Sequence, residues 1–119
     1  MIMLGGGLGA LLRAWLSASS GVGSGWLTGV PLGTLWANWL GSLLLGVIVG
    51  GLPVEGALKA GLSAGLMGGL TTFSTLSVES ASILSVSGGL RALSHFALHC
   101  VGGLIFAVFG LRIGSIFVK

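Results

Sequence analysis

Four long apolar runs, separated by short breaks of glycine, proline, serine or charge, make up nearly the whole chain. They predict helices near residues 2–20, 31–51, 57–86 and 90–113. Crossing a bilayer as a helix takes about 20 apolar residues, so each run is long enough. The breaks are typical of loops: a Ser/Gly-rich connection from Ser17 to Gly29, a turn at Leu52–Gly56, and Ser87-Gly88-Gly89. Pro31 suits the first turn of the second helix. The third run exceeds one crossing. Its centre, Gly65-Leu66-Met67-Gly68-Gly69-Leu70-Thr71-Thr72-Phe73-Ser74-Thr75-Leu76, couples a glycine pair to a hydroxyl cluster around one aromatic ring. Glycine is a weak helix former, and Ser/Thr hydroxyls compete with the backbone ladder. A helix broken near 68–72 is expected. At membrane depth, broken backbone survives only inside protein or against a wet cavity.

Composition strengthens this reading. Of 119 residues, 54% are hydrophobic and 6% charged, with mean hydropathy +1.12. These values predict an all-α integral membrane protein with four transmembrane helices in one domain, 1–119. Four helices enclose little space by themselves, so self-association is expected. The 24 glycines favour close helix contact, and small residues recur four apart at Gly5/Gly9, Gly46/Gly50, Gly61/Gly65/Gly69 and Gly110/Gly114. The first run has no positive charge before its apolar core, unlike a signal peptide, and is expected to stay as a helix.

Charge adds orientation and excludes one class of partner. The net +3 comes from scattered residues, without the basic patch that nucleic acid binding requires. With an even number of crossings, Lys59, Arg112 and Lys119 share the side of the termini, against Arg91 with Arg13 nearby. So shallow a bias allows insertion in both orientations. Trp15 and Trp26 are placed as interface aromatics. Cys100 has no partner for an internal disulfide and reads as a buried structural thiol.

The polar residues inside the runs are the candidate chemistry. Arg13 must snorkel, contact a neighbouring loop or face water. Thr34 and Asn38 share a helix face. Asn38 is either glue between helices or an NH₂ donor aimed into a pore. Glu79 lies seven residues beyond Thr72 and reads as interface or wet vestibule, the vestibule being favoured. His95, His99 and Gly103 are spaced by four on one face. With no acid or thiol at suitable spacing, the histidines read as a water-facing polar stripe rather than metal ligands. Gly5-Gly6-Gly7-Leu8-Gly9-Ala10 lacks the strand–helix context of a dinucleotide loop. No nucleophile, base and acid can be assembled into an enzyme site.

Three motifs in this order resemble the CrcB/Fluc family of fluoride channels, over nearly the whole chain: Gly5 to Arg13, Pro31 to Asn38 with Gly41, and Gly65 to Thr75 followed by Glu79. The resemblance implies passive fluoride export through an antiparallel, dual-topology dimer in a bacterial-type plasma or inner membrane. It also implies a structural sodium ion at the dimer centre, held by the carbonyls of Gly68 and Thr71. Asn38, Phe73, Ser74, Thr75, Leu76, His95, His99 and Gly103 would line the pore, with Arg13 and Glu79 in the vestibule. Fluoride, membrane lipid and a second copy of the chain are the implied partners, and a heterodimer is a further option. Two departures stand out. Leu76 occupies the place of a second family phenylalanine, and His95, His99 and Gly103 occupy a track that is hydroxyl- or amide-bearing at some positions elsewhere. A proton-coupled small multidrug exporter is the rival transporter, but it wants an embedded carboxylate and the first helix has none. A non-transporting assembly partner would leave the hydroxyl cluster unexplained.

Overall fold

In the computed structural model, which describes residues 1–24 and 29–118, the backbone is helical almost throughout. Trp26 and Lys119 therefore lie outside the described residues. Helix α1 spans Ile2–Ser20 and α2 spans Leu32–Gly50. The third apolar run opens as α3 (Gly56–Ala60), widens into a π-helical stretch (Gly61–Met67), and closes with one turn, α4 (Gly68–Leu70). After two extended residues it resumes as α5 (Phe73–Ser87), followed by α6 (Gly89–Ser115). The helices α1, α2 and α6 are each long and apolar enough to cross a membrane. The molecule extends 48 Å along its longest axis, more than the roughly 30 Å of a hydrocarbon core.

The ends of the helices follow from local chemistry. Pro31 stands one residue outside α2, in extended backbone, because its ring fixes φ but leaves ψ free to turn into the helix. At the other end, Gly51 adopts φ 143, a conformation open to glycine, and donates its N–H to the Val47 carbonyl. The connection between α1 and α2 is pinned where Val22 and Pro31 form a single antiparallel bridge, with Gly23 N–H donating to the Val30 carbonyl at 2.9 Å.

Two parallel glycine seams hold the helices together. In the first, α1 lies on the third run: Gly5 faces the Gly61 carbonyl, Gly9 the Leu66 carbonyl, and Gly69 the Gly6 carbonyl. In the second, α2 lies along α6: Gly110 meets the Leu43 carbonyl, and a Cβ on Gly46 would stand 2.6 Å from the Ala107 carbonyl oxygen. One turn on, a Cβ on Gly114 would sit 2.8 Å from the Cα of Gly50. No side chain fits at these places. The spacing of small residues thus identified both seams, and the structure supplies the pairing. Between them lie Ala37, Ile48, Met67 and Leu70, a compact buried cluster.

The break is narrower than 68–72. Gly68 and Gly69 remain helical, and only Thr71 (φ −83, ψ 150) and Thr72 (φ −153, ψ 117) are extended. Gly69 keeps its helical place because α1 packs against it, so tertiary contact outweighs weak propensity. The seven-residue π stretch is not legible in the run's apolar pattern. Cys100 is exposed rather than buried, since it falls on the side of α6 that borders an open groove.

The seams give a direct expectation. Gly110→Val should destabilise the protein by about 1–3 kcal/mol through overpacking, whereas Gly7→Ala, with open space around it, should be neutral or stabilising by up to about 1 kcal/mol. Thermal unfolding of both variants in detergent micelles checks this.

Candidate functional site

The site grows out of the two extended residues. Ending the helix at Leu70 frees the backbone groups that the next turn would have paired. Thr71 N–H and Thr71 Oγ1 both return to the Met67 carbonyl, at 3.0 and 2.9 Å. Thr72 N–H leaves the ladder and donates to Asn38 Oδ1 at 2.9 Å. Asn38 Nδ2 lies 3.5 Å from the Thr72 carbonyl, so one amide side chain borders both polar groups of this peptide residue. The side chain of Thr72 then starts α5: its Oγ1 accepts from Thr75 N–H at 3.2 Å, an N-cap. Thr75 Oγ1 and Ser74 Oγ gather on the same oxygen at 3.1 and 3.2 Å.

From there the polar groups form rungs across α2, α5 and α6. Asn38 Nδ2 meets His99 Nδ1 at 3.0 Å. One turn away, Thr34 Oγ1 donates to Glu79 Oε1 at 2.7 Å, Glu79 Oε2 lies 3.7 Å from His95 Nε2, and Ser80 Oγ meets His95 Nδ1 at 2.9 Å. The two imidazole rings are 4.8 Å apart. In the other direction, Ser42 Oγ donates to the Asn38 carbonyl at 2.8 Å and borders Gly103. His95 is 1% exposed and His99 3%. The spacings 34/38, 72/79 and 95/99 are all helix-face repeats, and the fold aligns them because α2 and α6 run parallel while α5 runs against them.

Beside this ladder an open groove of about 260 Å³ is lined by Asn38, Ser42, Thr72, Phe73, Leu76 and His99, among others. Leu76 is 5% exposed and forms part of its apolar wall; Phe73 is 71% exposed and meets Phe96 edge-on at 6.4 Å between centroids. The groove's lining carries no charged side chain. Its polar lining consists of amide, hydroxyl and imidazole side chains together with the backbone of the break.

The chain is matched by the family model described as CrcB-like protein, Camphor Resistance (CrcB), over residues 1–111. It belongs to the CrcB family. Relatives agree along nearly the full length. A protein of Nautilia profundicola named fluoride-specific ion channel FluC is 38% identical over 93% of this chain and 88% of its own. One of Cutibacterium acnes, named fluoride-specific ion channel FluC 2, is 43% identical over 96% and 94%. A FluC of Thermus thermophilus is 38% identical over 99% and 94%. With three apolar spans, this CrcB-family chain is a multi-pass membrane protein of bacterial type.

Of the residues singled out by sequence, the fold brings together Asn38, Ser74, Thr75, Leu76, Glu79, His95, His99 and Gly103. Phe73 stands at the groove's outer edge. Arg13 is half-buried on α1, with no hydrogen bond or ion pair to this set among the described residues. Glu79 completes a cluster with the histidines that sequence spacing had argued against: the acid comes from another helix, 16 residues before His95, where no local ligand spacing reveals it. Ser80 and Ser42 carry no signal that sets them apart from the chain's other serines. Sequence marks Thr34 only as a neighbour of Asn38.

Removing the Asn38 amide should expose its structural share. Asn38→Ala leaves the Thr72 N–H without its acceptor and should cost about 1–3 kcal/mol; Thr72→Ala loses the α5 cap, at about 1 kcal/mol. Asn38→Asp keeps an acceptor for Thr72 and should lose less than Asn38→Ala. Equal losses in thermal unfolding would show that this tie does not hold the break.

Proposed function

We propose that the protein is a fluoride channel that lets the ion leave the cell passively, limiting its toxicity. The observation that carries this reading is near-full-length similarity to proteins named fluoride-specific ion channels, with the donor-lined groove at Asn38 and Thr72 in support. Fluoride is small and tightly hydrated, so a path must replace its water with donors. Neutral N–H and O–H groups do this without fixed positive charge, which lets the ion leave again. The Phe73 ring, with its electropositive edge, adds a soft contact at the groove's mouth.

The assembly is read as an antiparallel pair of chains, each of four crossings, the two halves of the broken run together making one. A second copy would cover the exposed Phe73 and Cys100. The weak charge bias supports self-pairing in both orientations; pairing with a different family member is the alternative. A central sodium ion fits the donors at the break. Because Thr72 N–H goes to Asn38, the Gly68 carbonyl lacks its usual helical donor, and carbonyl oxygens suit a hard cation at a helix break. With Thr71, it would hold the ion, which when bound supplies positive charge to unpaired backbone carbonyls. Membrane lipid surrounds the assembly. The proton-coupled exporter reading is weaker, since Glu79 is engaged by Thr34.

Proteoliposomes containing only this protein, loaded with fluoride and given a potassium ionophore, should release fluoride rapidly and retain chloride. Asn38→Asp and Phe73→Ile should each slow release, by about 10-fold or more if each removes roughly 1.4 kcal/mol of stabilisation in passage. Undiminished flux in both variants, measured with a fluoride electrode, would remove these residues from the path. Leu76→Phe raises flux if the missing ring limits passage, and lowers it if the groove is shaped around leucine.

A further inference from the structure

The Glu79–His95–His99 cluster has a capacity beyond anion passage. One ligand atom from each of the three residues lies within 4.8 Å of the others. Glu79 Oε2, His95 Nε2 and His99 Nε2 are all buried without a hydrogen-bond partner. Their remaining polar atoms are engaged: Glu79 Oε1 by Thr34, His95 Nδ1 by Ser80, His99 Nδ1 by Asn38. Each of the three groups thus has one polar atom held and the other buried and free, a set whose unmet polar atoms a bound cation would satisfy. We propose that Glu79, His95 and His99 bind a divalent transition cation of the zinc class.

A tetrahedral zinc with bonds of about 2.1 Å holds its ligand atoms about 3.4 Å apart. Glu79 Oε2 and His95 Nε2 stand near that, at 3.7 Å, and the three ligand atoms, within 4.8 Å of one another, would draw in around the ion by side-chain rotation. The Glu79 side chain is 17% exposed, so the cluster is not fully enclosed by this chain. No lysine or arginine is bonded to the cluster among the described residues to repel the cation.

Proton placement sets a further condition. Thr72 N–H can only donate, so it fixes the Asn38 oxygen on its own side and the NH₂ towards His99. His99 Nδ1 must then accept, and its proton sits on Nε2. Coordination through Nε2 requires the opposite tautomer, so a bound metal displaces that proton and breaks the Asn38–His99 bond. His95 meets no such conflict, because the Ser80 hydroxyl accepts as readily as it donates. Asn38 therefore opposes the metal. Asn38→Asp would keep an acceptor for Thr72 and offer the second oxygen to His99 Nδ1–H, a carboxylate–histidine–metal arrangement.

Tag-free protein in detergent micelles, titrated with cobalt(II), tests this. One saturable site per chain should produce the visible bands of tetrahedral nitrogen/oxygen ligation, and zinc(II) should displace it. Glu79→Gln and His95→Ala should each weaken binding about 10-fold or more, and Asn38→Asp should strengthen it by about 10-fold. That gain should vanish in the Asn38→Asp, His99→Ala double variant, which separates ligand orientation from a general effect of negative charge. His95→Gln replaces His95→Ala where the latter does not elute as a folded species by size exclusion. No saturable band in the wild type, binding indifferent to Glu79 and His95, or weaker binding in Asn38→Asp would each overturn the proposal. The bands are read without any transport, so their absence leaves the fluoride reading standing, and absent flux leaves this one standing.

Discussion

A broken helix at membrane depth must find partners for the backbone groups that its break releases, and one amide side chain does much of that here. Asn38 accepts from Thr72 N–H and reaches His99 with its other end. Thr72 caps the helix that follows with its own hydroxyl. The direction in which α5 sets off is thereby tied to α2 and α6. The polar groups of α5 are placed by that direction: Glu79 against Thr34 and His95, and Ser80 behind His95.

The glycine seams make the tie possible. A hydrogen bond near 3 Å between side chains of different helices needs axes held close and in register. Gly46, Gly50, Gly110 and Gly114 let α2 and α6 touch backbone to backbone, which sets Asn38 level with His99. Gly5, Gly9 and Gly69 do the same for α1 and the first half of the broken run, so the break arrives opposite Asn38. In lipid there is no water-driven collapse to press helices together, and close van der Waals packing takes over that part.

The same arrangement reconciles two readings of Asn38. It bonds other helices, as polar residues in membrane bundles do, and it also lines the groove proposed for the anion. A donor that is already held by scaffold bonds is pre-oriented, so little is lost in ordering it when an ion passes. Neutral donors also avoid the deep electrostatic well that a buried lysine or arginine would make.

Much of this was legible in the chain itself. Apolar run lengths predict the helices, because the bilayer sets a minimum length. Four-residue glycine spacing marked both seams, since only small residues let backbones meet. The motif from Gly65 to Thr75 marked the break and the family together. Sequence could not place the break at Thr71–Thr72 and spare Gly68 and Gly69, because packing by α1 overrides glycine's weak propensity. Nor could it see the π-helical stretch, or the exposure of Cys100. Above all, the meeting of Glu79 with His95 and His99 belongs to tertiary structure alone. Helical periodicity relates residues on one helix; which faces of three helices confront one another is decided by how the seams pack.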